Sequence, residues 1–283
     1  MERLLAACGR LSSAAVGFSA GVDSTVVLWA LVRVLGAERV LAVTARSPTF
    51  PARELEEARA LARHVGVRLH VIESDEMANP EFRNNPGNRC FFCKTELYGK
   101  LRSVADLQGL AEIVDGTNRD DEGDWRPGLA AAAQHGVRSP LRDAGLTKAD
   151  VRAVAREAGL PNAEKPAFAC LSSRIPYGEV ITVEKLSQVG RSEEALRALG
   201  FGQLRVRHHR DVARIEVPAS DFARVLELAD VVVSALREAG YRHVALDLAG
   251  YRPGSLNAAL PGPAGAGGGL RDGEARPRVA GEA

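Results

Sequence analysis

Three groups of residues in this chain have the types and spacing for chemistry. Ser19, Gly21, Asp23 and Ser24 lie in VGFSAGVDSTVV (16–27), where an apolar run breaks at a small, hydroxyl-rich turn and resumes apolar at helical spacing. A strand entering a helix through such a turn suits the phosphates of a nucleotide. Backbone N–H groups and the positive end of the helix dipole converge on an anion there, and hydroxyls add donors. Cys90 and Cys93 form a CxxC that opens a helical pattern carrying Leu97, Tyr98, Leu101 and Val104. Thiolates at a helix N-terminus are stabilised by the dipole, which favours metal ligation or redox chemistry. Zinc, a redox pair and an iron–sulfur cluster all fit, and zinc needs two further N or S ligands. Cys170, Ser173 and Arg174 lie in AFACLSSRIPYG (167–178), which has no periodicity. Its nucleophile, hydroxyls and phosphate-binding guanidinium suit a site, and a linker with a buried cysteine is the plainer reading.

These residues need elements to position them. Residues 1–13 read as a short helix, with Cys8 as a small buried hydrophobe. Apolar runs at 14–19, 39–44, 68–72 and 111–114 alternate with helical patterns, among them 51–65 with Leu55, Ala58, Leu61, Ala62 and Val65 on one side. That alternation predicts an α/β fold, a parallel doubly wound sheet with helices on both faces. Ligands bind beyond the carboxyl ends of such strands. The ends are Ser19, then Thr44 to Ser47, then Glu73 to Asp75, then Asp115-Gly116-Thr117-Asn118. DGTN in that position suits a second turn beside the nucleotide, although Asp, Gly and Asn are also common in plain turns. Residues 77–88 read as a loop because of their prolines, glycine and asparagines. RDDEGDWRPG (119–128) reads as an acidic surface loop from which Arg126 could reach an anionic ligand. Thr147 and Asp150 resemble a helix start, and Gly159-Leu160-Pro161 stops that helix.

Beyond Thr182 the pattern changes. A helix is expected over 182–199 with Glu193 and Glu194, then strands at 204–208 and 214–217, a helix over 220–239 and a strand at 242–248. This makes a smaller C-terminal α+β domain, with the division placed at 168/169 and the second domain running to 260. Alternation in LRVRH sets Arg205 and Arg207 on the face opposite Leu204 and Val206. They form either a solvated face or a phosphate site shared with Glu193. His208 and His209 read as a satisfied or solvated pair. Residues 261–283, rich in Gly, Ala and Pro, read as a disordered tail.

Composition narrows the function. The chain has 283 residues, 46% hydrophobic and 26% charged, which is ordinary for a globular protein. A net charge of +1 argues against a basic nucleic-acid coat. No apolar run approaches a membrane span, and MERLLAACGRLSSA carries charges where a secretory signal needs an apolar stretch. The expected compartment is the cytoplasm, where four cysteines are ligands or catalysts rather than disulfides. GxxxxGK[ST] is absent and no GxGxxG follows the first strand, so neither a Walker-type ATPase nor a dinucleotide fold is indicated.

The stretch SAGVDS resembles the PP-loop, SGGxDS, of the N-type ATP pyrophosphatases, which adenylate a carboxylate or carbonyl oxygen and release pyrophosphate. Ala20 stands where the motif has glycine, at a cost of about 1–2 kcal/mol if that residue has a positive φ. With RCFFCK, DGTN, DWRPGL, ACLSSRIPYG, LRVRxHxxxARIEV and ALDLAGYRPG, the resemblance over residues 5–257 is to the LarE family. These are ATP-dependent sulfur transferases of nickel-pincer nucleotide cofactor biosynthesis, built on an adenine-nucleotide-hydrolase sheet. The resemblance implies that ATP with Mg²⁺ activates a carboxylate of pyridinium-3,5-biscarboxylic acid mononucleotide and that a sulfur nucleophile then displaces AMP. Ser19, Gly21, Asp23 and Ser24 would hold pyrophosphate or its magnesium. Thr44, Asp115, Gly116 and Arg126 would lie beside the nucleotide, and Arg174 with Ser173, and Arg205 and Arg207 with Glu193, would position the anionic substrate. One part of the family donates sulfur from a sacrificial cysteine in the position of Cys170. Another holds a [4Fe–4S] cluster on three cysteines. Cys90, Cys93 and Cys170 favour the cluster type, with one iron left for sulfide. The resemblance also implies homo-oligomers with threefold contacts. A tRNA 2-thiolation enzyme is the competing expectation, and the near-neutral charge counts against it.

Overall fold

The computed structural model describes residues 1–123, 127–252 and 254–256. The first sheet consists of β1 (Ala14–Gly17), β2 (Val40–Arg46), β3 (Arg68–Glu73) and β4 (Glu112–Val114), all parallel, in the order β3-β2-β1-β4. Helices α1 (Glu2–Cys8), α2 (Val22–Leu35), α3 (Ala52–Val65), α4 (Pro80–Arg83), α5 (Arg89–Leu107), α6 (Gly128–Gln134), α7 (Pro140–Asp143) and α8 (Lys148–Glu157) surround it. Alternate strand residues serve opposite faces. Ala14, Val16, Val40 and Ala42 pack with α1, α2, α3 and α8, while Ala15, Leu41, Val43 and Ile113 pack with Tyr98, Leu101 and Ala105 of α5 and with α6. Burial on both faces explains why these strands read as continuous apolar runs.

The chain lays down β1, β2 and β3 toward one side and then crosses over to place β4 on the other flank of β1. The carboxyl ends of β1 and β4 are therefore neighbours at the point where strand order reverses, the usual binding crevice of such sheets.

The second sheet has β5 (Arg205–His209) antiparallel to β6 (Val212–Glu216), and β7 (His243–Leu246) parallel to β6. It packs with α9 (Val183–Ala198), α10 (Phe222–Glu227) and α11 (Ala229–Glu238) through Leu196, Phe201, Leu204, Val206, Ile215, Val232, Leu236 and Tyr241. This is the β-β-α-β order expected. Among the described residues no helix is long and apolar enough to cross a membrane.

Several local expectations are corrected. Residues 77–88 are not a plain loop: Glu76–Ala78 is a 3₁₀ turn, and Asn79 caps α4 by accepting from Glu81 N–H at 2.9 Å with Pro80 at the first helical position. The proline that reads as a breaker starts a helix. The expected helix over 220–239 breaks at Leu228, so that Val225 of α10 and Val232 and Leu236 of α11 all reach one core. In the 167–178 stretch Leu171–Arg174 is a 3₁₀ turn. The helix start expected at Thr147 and Asp150 is present, as a reciprocal capping box in which aspartate replaces the usual Glu or Gln. The tail at 261–283 lies outside the described residues.

Candidate active site

The phosphate-loop stretch leaves β1 at Gly17 and enters α2 at Val22, whose N-cap Gly21 provides no side-chain cap. The opening N–H groups of α2 thus face outward for an anion. Ser19 Oγ and Ser24 Oγ stand 3.2 Å apart, Gly21 N–H donates to Ser19 Oγ at 3.3 Å, and Ser24 and Thr25 hydroxyls donate to Gly21 O at 3.1 and 2.9 Å. Ala20 has φ of 57° and is fully buried. The left-handed conformation therefore falls on an alanine, at about 1–2 kcal/mol. Its carbonyl is fastened by Asn162 Nδ2 and Lys165 Nζ, each at 3.2 Å. Lys165 also pairs with Glu54 at 2.6 Å and Glu57 at 2.8 Å, tying the loop to α3.

The DGTN turn presses on this loop. A Cβ on Gly116 would stand 2.8 Å from Ser24 N and 3.1 Å from Asp23 C, so only glycine allows the approach. Asn118 Nδ2 donates to Asp23 Oδ1 at 3.1 Å. Burial foremost, with Asp121 nearby, raises the Asp23 carboxyl above the ordinary aspartate value, against the Asn118 hydrogen bond. Such a carboxylate fits Mg²⁺, which binds through one or two carboxylates together with substrate phosphates. Asp115 accepts from Tyr98 OH at 2.9 Å, Ser139 Oγ at 2.8 Å and Thr117 Oγ1 at 2.8 Å. Its oxygens thus shape the turn rather than face a ligand. Thr44 is buried near the carboxyl end of β2, and Arg126 lies outside the described residues.

Cys90 is exposed, Cys93 and Cys170 are half-buried, and none is in a disulfide. Cys93 packs on the cluster of Phe82, Leu171 and Ile175, which brings the CxxC to the Cys170 turn. The dipole argument fails for Cys93: burial pushes its thiol well up, and Cys170, Glu76 and Cys90 add to this against the Lys94 ammonium. Lys94 Nζ lies 5.2 Å from the centre of the Tyr98 ring, and Tyr98 foremost, then Asp115 and Cys93, hold its proton more firmly despite burial. Among the described residues no three His, Cys, Asp or Glu side chains surround a single metal position. Cys90, Cys93 and Cys170 offer the thiolate donors that an iron–sulfur cluster takes, but they are not gathered around one position in this structure. Cys8 is fully buried in α1, its thiol pushed up to about 12 by burial, as expected of a packing residue.

The arginines are not a solvated face. Arg174 forks onto Glu193 at 2.7 and 3.1 Å, and its Nη1 donates to Ala169 O, Cys170 O and Ser173 Oγ at 2.6, 3.1 and 2.8 Å. Arg207 forks onto Glu216, both bonds 2.9 Å, and donates to Ser173 O and Ser255 Oγ, both at 2.6 Å. Both guanidinium groups are buried because the Cys170 turn covers that face of β5. They hold the turn in place, and Glu193 also accepts from Val206 N–H at 3.2 Å.

Arg205 differs. Its guanidinium stacks 5.0 Å from the centre of the Tyr251 ring and donates to Tyr251 OH at 3.2 Å. Burial foremost, then the neighbouring Arg174 and Arg207, lower its pKa, and Tyr251 acts against them. It lines a cleft of about 200 Å³ with Arg53, Lys165, Phe168, Arg197 and Tyr251. Arg197 lies 3.5 Å from Glu193 and its buried Nη1 has no partner among the described residues. Sequence reasoning missed Arg197 and Lys165. The i, i+4 spacing of Glu193 and Arg197 on α9 was a usable signal, whereas nothing in the linker singles out Lys165. His208 is satisfied, with Nδ1 3.1 Å from Tyr241 OH and Nε2 3.3 Å from Glu179, and exposed His209 accepts from Arg214 Nε at 3.1 Å.

Residues 2–107 match the NAD synthase family. Over 257 residues the chain is 40% identical to the pyridinium-3,5-bisthiocarboxylic acid mononucleotide synthase of Lactiplantibacillus plantarum, covering 91% of this chain and 93% of that one. The chain belongs to the LarE family. An uncharacterized Synechocystis protein is 44% identical over 262 residues, 92% of this chain and 97% of its own. An NH(3)-dependent NAD(+) synthetase of Hyperthermus butylicus is 33% identical over 175 residues, 58% of this chain and 60% of that one. As a LarE family member the chain is an ATP-dependent, adenylating PP-loop enzyme.

Proposed function

We propose that this enzyme adenylates a carboxylate of pyridinium-3,5-biscarboxylic acid mononucleotide and converts it to a thiocarboxylate, with sulfur delivered at the site of Cys90, Cys93 and Cys170. The observation that carries the reading is that Cys93 packs on the cluster of Phe82, Leu171 and Ile175, next to the Cys170 turn. The name of the Lactiplantibacillus relative supports the substrate.

In the first step a carboxylate oxygen of the mononucleotide attacks the α-phosphorus of ATP, forming an acyl-adenylate and expelling pyrophosphate. The N–H groups of α2 and the Ser19 and Ser24 hydroxyls stabilise the charge on the leaving group, and Asp23 would hold a Mg²⁺ that neutralises it further. In the second step sulfur attacks the carbonyl carbon and AMP leaves with the C–O bonding pair. Cys90, Cys93 and Cys170 would hold a [4Fe–4S] cluster, which would supply the sulfide. Arg205, with Arg197 in the same cleft, binds the substrate phosphate, while Arg174, Arg207 and Glu193 set the position of the Cys170 turn. Residues 1–168 then serve activation and contribute Cys90 and Cys93, and 169–260 contribute Cys170 and the substrate-binding arginines.

The test is anaerobic reconstitution with iron and sulfide. A brown protein with about four irons per chain, lost in Cys90→Ala, is expected. A colourless, iron-free product alongside a Cys170 that loses the mass of one sulfur on turnover would replace the cluster with sacrificial donation. Pyrophosphate release driven by tRNA rather than by the pyridinium mononucleotide would overturn the substrate.

A further inference from the structure

Cys90 and Cys93 belong to the first turn of α5, and Cys170 lies far along the chain. Holding the two segments together needs a device that sets the distance between their backbones. Asn85 and Arg89 connect them. Asn85 is wholly buried, has φ of 54°, and its amide donates to Ile175 O at 3.2 Å and Pro176 O at 2.7 Å. Its backbone carbonyl accepts from Gly178 N–H at 2.9 Å, and Arg83 O accepts from Ile181 N–H at 2.8 Å. Asn85 Oδ1 accepts in turn from Arg89 Nη1 at 2.6 Å. Arg89 is buried, immediately precedes Cys90, and stacks 5.0 Å from the centre of the Tyr177 ring. Cys90 and Cys170 both act electrostatically on the Tyr177 phenol.

The chemistry at position 85 is demanding. The residue must tolerate a left-handed backbone, donate two hydrogen bonds and accept one, all without water. A core-filling role asks for none of these. We infer that Asn85 and Arg89 are positioning residues that clamp the Cys170 turn to the Cys90–Cys93 turn, so that three thiols from two segments act as one site. The inference rests on the reading of those thiols as the site of sulfur delivery.

Dibromobimane added to the reduced, iron-free protein reads the geometry directly, because it fluoresces strongly once both arms have reacted with thiols, and peptide mapping identifies the pair. The wild-type chain is expected to yield bridges from Cys170 to Cys90 or Cys93. Asn85→Asp keeps the size, the left-handed tolerance and the acceptor for Arg89 but replaces the donor to Ile175 and Pro176. Bridges to Cys170 should fall on the order of tenfold or more, as for other small losses of alignment, while ATP affinity and the bridge within the CxxC persist. Arg89→Lys, which keeps the charge and loses the fork, should move the same readout if Asn85→Asp does not fold. Undiminished bridging in a folded variant overturns the clamp, as does a wild-type chain with no bridge to Cys170. A protein that bridges as expected but takes up no iron leaves the clamp standing and refutes only the cluster.

Discussion

Gly116→Ala tests whether the DGTN turn and the phosphate loop form one rigid unit. The added methyl would stand 2.8 Å from Ser24 N and 3.1 Å from both Asp23 C and Ser24 Cα, and all three are backbone atoms that cannot rotate aside. Gly116 does not have a positive φ, so the change adds contact without dihedral strain. Relief requires the turn and the start of α2 to separate by roughly 0.6 Å or more, which also stretches the Asn118–Asp23 hydrogen bond. Overpacking of this kind costs about 1–3 kcal/mol, and in a chain of this size each kcal/mol lowers the melting temperature by about 2–4 °C. The rate effect is larger, because a displacement of that order at a reacting centre costs up to about a hundredfold. Pyrophosphate release under saturating mononucleotide should therefore collapse while the melting temperature falls only modestly. Wild-type release with an unshifted melting curve would refute the tight packing of the turn on the loop.

Other consequences are equally accessible. Arg205→Ala should raise KM for the mononucleotide about ten- to a hundredfold, the equivalent of one charge-assisted contact of about 1.5–3 kcal/mol, with KM for ATP unchanged in steady-state assays. The raised Asp23 carboxyl has a pH signature. Burial and Asp121 make the folded protein hold this proton more tightly than the unfolded chain does, so the acid limb of pyrophosphate release lies above the ordinary aspartate range. Asp121→Asn removes the like charge and should move that limb to lower pH in a pH–rate profile. The same group favours folding below its unfolded pKa and loses that contribution as pH rises through its folded pKa.

Much of the site was legible because local patterns carry it. The strand–turn–helix at Ser19 to Ser24 follows from an apolar run, small residues and helical spacing, each a property of neighbours in sequence. The end of β4 at Asp115 follows in the same way, and Cys8 and His208 are satisfied as expected. The roles of the arginines were not legible. Alternation in LRVRH correctly sets Arg205 and Arg207 on one face, but whether that face meets water depends on the Cys170 turn that covers it. Arg174 and Arg207 each meet a buried carboxylate from another element, so both forks are occupied in bracing the turn. Lys165 and Asn162 lie in a linker whose sequence carries no period and no motif, yet they fasten the carbonyl of the strained Ala20.

By itself, then, the sequence determined the alternating α/β plan, the phosphate loop and the identity of the residues with reactive side chains, because periodicity, caps and breakers act within a few residues. The tertiary structure alone decided which of those residues meet. The crossover that sets β4 against β1 brings Asn118 to Asp23, and the cluster around Phe82, Leu171 and Ile175 brings Cys93 to Cys170. The surroundings of a thiol or guanidinium, and with them its charge, follow from contacts between segments distant in sequence. Desolvation and ion pairing therefore become defined only once the two sheets and their connecting turn are packed.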